Sequence, residues 1–341
     1  MNTRVIASNR ILKHDDHKGR PYILLLLSFV LLLAACGQQS TTTGSTSTQA
    51  TPTPAFDVYG TPIAFPKTAP QRIVSLVPST SEILSALHLE SRVVGIDYNT
   101  NYPASLTGRP KVSNATGVFN VEQIVALKPD LVLSYGGETK QADTQLKQLG
   151  LNVVDLQLTN LTQSLQDIAL VGRLTSTQDT ANTLVQQLQK QVDQIKAAVK
   201  GTTAPPILLE VDDSAPGKPY VFGGGSFGDE LVQDAGAVNI FHNSTTNGGY
   251  PQVTDESIIT ANPQYVILTE DPAYGGDPNT VYKRPNWGSI MAVKNHKVYR
   301  VNADITQRPG PRLVQGLQCV AQIVHPDKFP GALPGYCSAS V

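Results

Sequence analysis

The sequence predicts an α/β protein with two lobes, each built on a mostly parallel β-sheet, which are joined by one long α-helix. Three observations support this fold class. Short β-rich runs alternate with helical segments of about 10–15 residues, the pattern of parallel strands with helical crossovers. The same plan occurs in both halves of the chain, and a long amphipathic segment separates the halves. With 341 residues, 40% of them hydrophobic, the chain can fill two such lobes.

The N-terminal lobe is predicted over residues 57–175, with strands and helices that follow one another in regular order. A helix and a strand across 120–135 form the first copy of a repeated unit that is described below. The other strands are expected over 72–77, 92–97 and 151–156, and the other helices over 78–89, with Ser/Thr caps, and 140–150.

The joining helix is predicted over residues 176–201. Apolar residues recur at helical spacing from Ala181 to Val199, Ser176 is suited to cap the start, and Gly201 is suited to end the helix. About 25 residues at 1.5 Å each give a rod of roughly 37 Å, long enough to run along the flank of both lobes. An ordinary packing helix fits the same pattern, so both interpretations stay open.

The C-terminal lobe is predicted over residues 202–330, followed by a tail over 331–341. It repeats the order of the first lobe, and its helix–strand unit lies across 254–268. Strands are also expected over 207–211 and 297–301, with helices over 228–236 and about 311–324. The glycine-rich run at 222–228 lacks the lysine of a phosphate-binding loop, and it predicts a turn where backbone approaches a ligand.

The first 35 residues have the features of a bacterial lipoprotein signal peptide. Five basic residues precede an apolar run over 22–35, which is too short to span a bilayer comfortably and ends in "LAAC" at Cys36. This ending resembles the lipobox, whose cysteine carries the lipid. A Ser/Thr-rich tether over 36–56 follows. We therefore expect an extracytoplasmic protein anchored by lipid at Cys36; an ordinary signal peptide with a chance cysteine is the alternative.

Charge and cysteine content limit the functional classes further. The formal net charge is −1, and removing residues 1–35 (five Lys/Arg, two Asp/Glu) leaves 21 basic and 25 acidic residues, or −4. Such a balance gives no polyanion-binding signal and argues against nucleic acid as a partner. Cys319 and Cys337 remain as an even pair in an exported chain, which predicts a disulfide worth about 3 kcal/mol; two free thiols are the alternative.

The repeated helix–strand unit carries a carboxylate at the same place in both copies. It reads "NVEQIVALKPDLVL" at 120–133 and "TDESIITANPQYVIL" at 254–268. Asn120 and Thr254 are good N-cap residues, which places Glu122 and Glu256 at the second helical position, on an exposed first turn. The helix dipole alone would stabilise a carboxylate there by about 0.3–1 kcal/mol. Two equivalent carboxylates also suit a dimeric partner that has one basic residue on each subunit.

The order of the motifs resembles the substrate-binding proteins of ABC importers for cobalamin and iron–siderophore complexes. The resemblance extends from about Pro70 to His325 and is carried by "RIVSLVPSTSEIL", "VVGIDYNTNYP", "NVEQIVALKPDLVLSYGG" and "VTDESIITANPQYVIL". It implies a monomer with the architecture of a class III periplasmic binding protein, which holds a metal-chelate ligand between its lobes. It also implies that Glu122 and Glu256 bind arginines of a dimeric permease at the membrane.

Candidate ligand-binding residues lie in the loops that follow the predicted strands, because ligands of open α/β sheets bind there. The polar and aromatic candidates are Ser79, Tyr98, Asn99, Phe119, Tyr135, Tyr220 and Tyr250. The resemblance adds Asp304 and Arg308, with Arg312 at the following helix. A corrinoid is favoured over a ferric siderophore or haem. The tryptophans of the cobalamin-binding branch are nevertheless replaced here by Tyr135 and Tyr250, and its disulfide partner by Ala235.

Other functional classes have little support in the sequence. No nucleophile elbow, phosphate loop or Cys/His nucleophile pair occurs, so an enzyme is not predicted. The four histidines after residue 36 have no metal-ligand spacing, and neither a metal site nor a resident cofactor is expected. A lipoprotein that senses a ligand without transporting it remains the alternative from a different class.

Overall fold

The computed structural model describes residues 55–338 except 138, 158 and 271–275. The signal peptide, the lipid site at Cys36 and most of the tether therefore lie outside the described residues. Residues Thr53–Val341 form one compact unit. Among the described residues, no helix combines the length and apolarity needed to cross a membrane.

In the described part of the N-terminal lobe, four strands alternate with four α-helices. In chain order they are β1 (Ile73–Ser75), α1 (Pro78–Ala86), β2 (Val93–Ile96), α2 (Val121–Ala126), β3 (Leu131–Tyr135), α3 (Lys140–Gln148), β4 (Val153–Leu156) and α4 (Leu161–Thr175). The strands form one parallel sheet in the order β2-β1-β3-β4. Their nearly continuous burial is typical of a parallel sheet that is covered on both faces.

Helix α1 begins in a different way from the sequence prediction. Its N-cap residue is Val77, whose side chain cannot accept a hydrogen bond from the helix. Pro78 occupies the first helical position, where a backbone N–H would have no partner within the helix. The neighbouring hydroxyls are buried instead of capping: Ser75 Oγ lies 2.5 Å from Thr80 Oγ1 and accepts a hydrogen bond from Ser81 Oγ at 2.7 Å. These bonds hold the start of α1 against the end of β1.

The joining helix α5 spans Gln178–Val199, so its 22 residues extend about 33 Å. The apolar side predicted from its spacing is the buried side. Ser176 does not cap its start: this residue has a left-handed backbone and ends α4 instead. Because a β-carbon at Gly172 would overlap Ala181, helices α4 and α5 cross at a distance that only glycine permits there.

The C-terminal lobe contains more and shorter elements than were predicted. They are β5 (Pro206–Asp212), β6 (Tyr220–Val221), α6 (Phe227–Asp234), β7 (Val238–Asn239), α7 (Thr246–Gly249), α8 (Asp255–Ala261), β8 (Tyr265–Leu268), α9 (Pro278–Val281), α10 (Met291–Lys294), β9 (Val298–Arg300), α11 (Ala303–Thr306), α12 (Leu313–Val324) and α13 (Gly335–Ser338). The sheet order is β6-β5-β8-β9, with β7 beside β5. Among the described strands of this lobe, β6 is antiparallel to its neighbour and the other pairs are parallel.

One apolar cluster extends through both lobes. It contains residues of the first sheet such as Ile73 and Leu131, residues of the second lobe such as Ile207 and Leu317, and the buried side of α5. Two smaller clusters lie within single lobes, around Trp287 in the second and Val132 in the first. The two lobes are therefore joined by continuous packing as well as by a helix.

The tail is fastened to the last long helix as predicted. Cys319 of α12 and Cys337 of α13 form a disulfide. The backbone N–H of Asn302 donates to the carbonyl of Cys337 at 2.7 Å, and Gln322 Nε2 donates to the carbonyl of Gly331 at 3.2 Å. The glycine-rich run contributes packing within the lobe: a β-carbon at Gly224 would overlap the carbonyl oxygen of His242. This glycine therefore lets backbone approach backbone, whereas approach to a ligand was predicted.

Candidate ligand cleft and docking carboxylates

A buried ion pair joins the two lobes. Glu82 projects from α1, and Arg312 stands at the start of α12, 230 residues later in the chain. The guanidinium donates from Nε to Glu82 Oε2 at 2.9 Å and from Nη2 to Oε1 at 2.6 Å. Only 2% of Glu82 and 8% of Arg312 is exposed, and the guanidinium also lies over the Tyr102 ring at 4.1 Å. This bidentate geometry is the strong form of an arginine–carboxylate contact.

Asp304 and Arg308 lie directly beside this pair. Arg308 Nη2 is 2.8 Å from Asp304 Oδ1, and Arg308 Nη1 donates to Asn101 Oδ1 of the N-terminal lobe at 2.6 Å. Asn101 in turn donates from Nδ2 to Asp304 Oδ2 at 3.0 Å. The two residues that the resemblance assigned to ligand binding are therefore brought together. In this structure they hydrogen-bond across the interlobe boundary.

The charges at this boundary compensate one another. Arg308 and Arg312 face Glu82 and Asp304, while Asp97 accepts a hydrogen bond from Thr100 and lies near Lys111. Burial raises the pKa of Asp97, and the hydrogen bonds from Thr100 and Asn99 oppose that shift. Burial also raises the pKa of Glu82, against the hydrogen bonds from Arg312. Both guanidinium groups described at this boundary, those of Arg308 and Arg312, therefore have a carboxylate partner.

The aromatic candidates divide into two groups. Tyr250 packs with Phe222 and Phe227, with ring centroids 5.5 and 6.2 Å away, so it belongs to an aromatic cluster of the C-terminal lobe. Tyr135 and Tyr220 are half-buried at the ends of their strands. Tyr98 is 51% exposed, which leaves its ring free to meet a ligand. These positions are compatible with lining a cleft, and their ligand contacts remain predictions.

The remaining candidates have different surroundings. Ser79 is buried in α1, with its carbonyl oxygen against Gly310 of the other lobe, so its side chain has little access to a ligand. Asn99 is exposed, and its backbone N–H donates to Asp97 Oδ2 at 2.7 Å. Phe119 lines a groove that also contains Val118 and Glu122. Phe119 therefore lies nearer to Glu122 than the other candidates do, and it does not line a groove with Asp304 or Arg308.

Both repeated carboxylates occupy the predicted helical position. Asn120 Oδ1 accepts from Gln123 N at 3.0 Å, and Thr254 Oγ1 accepts from Ser257 N at 3.3 Å, which fixes Glu122 and Glu256 as second residues of α2 and α8. Both glutamates are exposed. A hydrogen bond with its own backbone N–H lowers the pKa of Glu256. Within residues 55–338, as far as they are described, neither side chain has a basic partner in an ion pair.

Sequence reasoning missed Glu82, Asn101 and Tyr102. Glu82 had a signal, since it is the one charged residue in the otherwise uncharged segment 78–87. A single charge in a helix that is otherwise apolar or small and polar predicts a partner elsewhere in the chain. Nothing local identifies Arg312 as that partner.

A second buried charge cluster lies at the carboxyl ends of β5 and β8. Arg284 donates to both oxygens of Glu210, at 2.7 and 2.6 Å, and lies 2.5 Å from Asp213 Oδ2. Glu270 is fully buried beside Glu210, and burial together with the Glu210 charge raises the pKa of Glu270 to about 10. Burial and the Glu210 charge therefore both favour the protonated form of Glu270. In the described part of the chain, no group of three or more His, Cys, Asp or Glu side chains has an arrangement that could hold a metal ion.

Comparison with known proteins identifies the family. Residues 73–305, about two thirds of the chain, match the family model for periplasmic binding proteins. The chain belongs to the periplasmic binding protein family. This membership confirms the two-lobed α/β fold class and the prediction that the protein is not an enzyme.

Individual relatives of this periplasmic binding protein differ in what their names describe. An uncharacterized ABC transporter substrate-binding lipoprotein of Bacillus subtilis is 31% identical over 314 residues, 89% of this chain and 96% of the relative. The vitamin B12-binding protein of Vibrio cholerae is 25% identical over 266 residues, 77% and 92% of the two chains. A periplasmic heme binding protein from Pseudomonas aeruginosa superposes with a TM-score of 0.66 at 26% identity, over 78% of this chain and 96% of that one.

Proposed function

We propose that this periplasmic binding protein captures a corrinoid between its lobes and delivers it to the permease of an ABC importer. Binding needs no covalent step, because shape and hydrogen bonds provide the specificity. The transport role is supported by the relatives, whose names include an ABC transporter substrate-binding lipoprotein and a vitamin B12-binding protein. The lipid anchor at Cys36 remains part of this proposal.

The observation that carries the choice of ligand is the charge balance between the lobes. Arg308 and Arg312 are paired with Asp304 and Glu82, at 2.8 and 2.6 Å. An anionic siderophore complex, or haem with its carboxylates, needs cations that are free to pair with it, and separating these pairs would leave buried charges without partners. A corrinoid presents amide groups, which can hydrogen-bond to a carboxylate or a guanidinium without displacing its partner.

The ligand test compares three coloured ligands by equilibrium dialysis and visible spectroscopy: cyanocobalamin, a ferric siderophore and haemin. We expect the protein to retain the cobalamin spectrum through gel filtration. Arg308→Gln should weaken that binding roughly 10- to 100-fold, since hydrogen bonds to a charged group are worth about 1.5–3 kcal/mol. Arg109→Gln is the matched control, because Arg109 donates to the carbonyl of Glu90 away from this boundary. Retention of iron or haem colour alone would replace the corrinoid with that ligand.

Delivery to the permease is proposed to depend on Glu122 and Glu256. Their exposure, their equivalent helical positions and the absence of an internal basic partner among the described residues leave both carboxylates available to arginines of a dimer. The variants Glu122→Arg and Glu256→Arg should abolish uptake in cells and leave ligand affinity unchanged. Asp179→Arg is the control, since Asp179 is an exposed acidic residue on the first turn of α5. Normal uptake by a protein that carries both Glu122→Arg and Glu256→Arg would favour a sensor that does not transport.

A further inference from the structure

A second groove is lined by residues of the joining helix α5, the last long helix α12 and the C-terminal segment from Phe329 to Tyr336. Its volume is about 500 Å³, within the range of about 300–1,000 Å³ that is usual for small-molecule sites. Ile195 and Val314 contribute its apolar part. Its polar and aromatic lining consists of Gln191, Gln194, Gln315, Gln318, Phe329 and Tyr336. None of its lining residues belongs to the group around Asp304 and Arg308 at the interlobe boundary, and the proposed transport function does not use this groove.

The four glutamines form two facing pairs. Each pair has the spacing of three residues that places two side chains on the same side of a helix, one pair on α5 and the other on α12. None of the four side-chain amides hydrogen-bonds to another group among the described residues. Each amide therefore offers both a donor and an acceptor to an occupant of the groove.

The lining also restricts the chemistry of that occupant. No Asp, Glu, Lys, Arg or His residue lines the groove. A charged molecule would find no counter-charge in the groove, and a purely apolar molecule would displace water from the amides without hydrogen-bonding to them. Phe329 and Tyr336 add aromatic rings to the lining, and such rings pack well against the C–H face of a saturated hydroxylated ring. We propose that the groove binds an uncharged sugar.

The tail gives this groove a fixed wall. Phe329 precedes the tail, and Tyr336 lies directly before Cys337, which is buried and bonded to Cys319 of α12. Asn302 Nδ2 donates to the carbonyl of Tyr336 at 3.4 Å, which also holds this segment. Because the disulfide links the Tyr336 segment to the helix that carries Gln315 and Gln318, breaking it should weaken sugar binding.

The proposal is tested by saturation-transfer NMR on the full folded protein, with N-acetylglucosamine and maltose as probes and gluconate as the charged comparison. We expect transfer to the two neutral sugars, millimolar affinity, and no transfer to gluconate. The double variant Gln194→Leu/Gln318→Leu should weaken neutral-sugar binding by at least about tenfold. Gln187→Leu is the matched control, because Gln187 is exposed on the same helix and does not line the groove.

A second measurement needs no variant. In the unmodified protein, titration with either neutral sugar should shift the side-chain amide resonances of the four groove glutamines and leave that of Gln187 in place. Reduction of the disulfide should diminish these shifts. The proposal is overturned if neither sugar shows transfer at tens of millimolar, if the double variant binds as well as the parent, or if the shifted amides belong to glutamines outside the groove.

Discussion

Removing the charge of Glu82 should destabilise the whole protein, because Glu82 and Arg312 are buried and joined by two hydrogen bonds. Loss of one member of a buried ion pair costs about 3–5 kcal/mol, since the other charge remains without compensation. Asp304 Oδ2 lies 4.0 Å from Arg312 Nη2 and offsets part of that cost. We therefore expect about 3 kcal/mol for Glu82→Gln, or a fall in Tm of roughly 6–12 °C.

The assay is urea unfolding of the chain from Thr53 onwards, the compact unit. Unfolding is monitored by two signals. Far-UV circular dichroism reports both lobes, and fluorescence reports the C-terminal lobe, because the single tryptophan, Trp287, is buried there. Coincident transitions in the two signals would show that the lobes unfold together. The double variant Glu82→Gln/Arg312→Met removes both charges and should recover most of the lost stability.

The control is the surface pair of Lys196 and Asp234, in which half of the lysine side chain is exposed. Lys196→Met should change stability by less than about 1 kcal/mol, because solvent screens such a pair. The reasoning is refuted if Glu82→Gln costs no more than this control. It is also refuted if the double variant loses the sum of the two single losses, since independent charges would behave in that way.

Three further predictions follow from the buried groups. Glu270 has a pKa of about 10 in the folded protein and about 4.5 in the unfolded chain, so only the folded protein holds this proton between these pH values. The free energy of unfolding should therefore fall as pH rises through this range, by up to about 1.4 kcal/mol per pH unit. Glu270→Gln should flatten that slope at alkaline pH in urea titrations, and an unchanged slope would contradict the assignment. Reduction of the Cys319–Cys337 disulfide, whose cysteines are 18 residues apart in sequence, should lower the free energy of unfolding in urea by about 3 kcal/mol. A loss below about 1 kcal/mol would contradict a stabilising role for the disulfide. Gly224→Ala should cost about 1–3 kcal/mol from overlap with the His242 carbonyl, whereas Gly288→Ala, which meets no neighbouring atom, should not.

Much of the fold could be predicted because apolar periodicity and helix signals are local. The parallel strands around β1 and β3, the joining helix and both helix–strand repeats follow from such patterns. Helix α4 was missed, although Asn160 caps it and its last residue precedes Ser176. Ser176 shows the limit of local reasoning, since a serine suits the start of one helix and here ends another. Strand β6 has two residues, which is too short for an alternating pattern.

The candidate site was only partly predictable, because its contacts join residues far apart in sequence. The positions of Asp304 and Arg308 came from resemblance, and the structure places them together at 2.8 Å. Their partner Asn101 is more than 200 residues away, so no spacing rule could find it. Glu122 and Glu256 were accessible to reasoning because an N-cap determines helical position within a few residues.

The apolar cluster that runs from β1 through α5 to α12 has a consequence for recognition at the membrane. Rotating one lobe against the other would bring apolar side chains into water, so wide hinge motion is costly. We therefore expect little free energy to be spent on closure when cargo arrives, and vacant and filled molecules to have nearly the same outline. On this expectation, vacant molecules would compete with filled ones for the permease. Net import depends on the proportion of molecules that carry cargo.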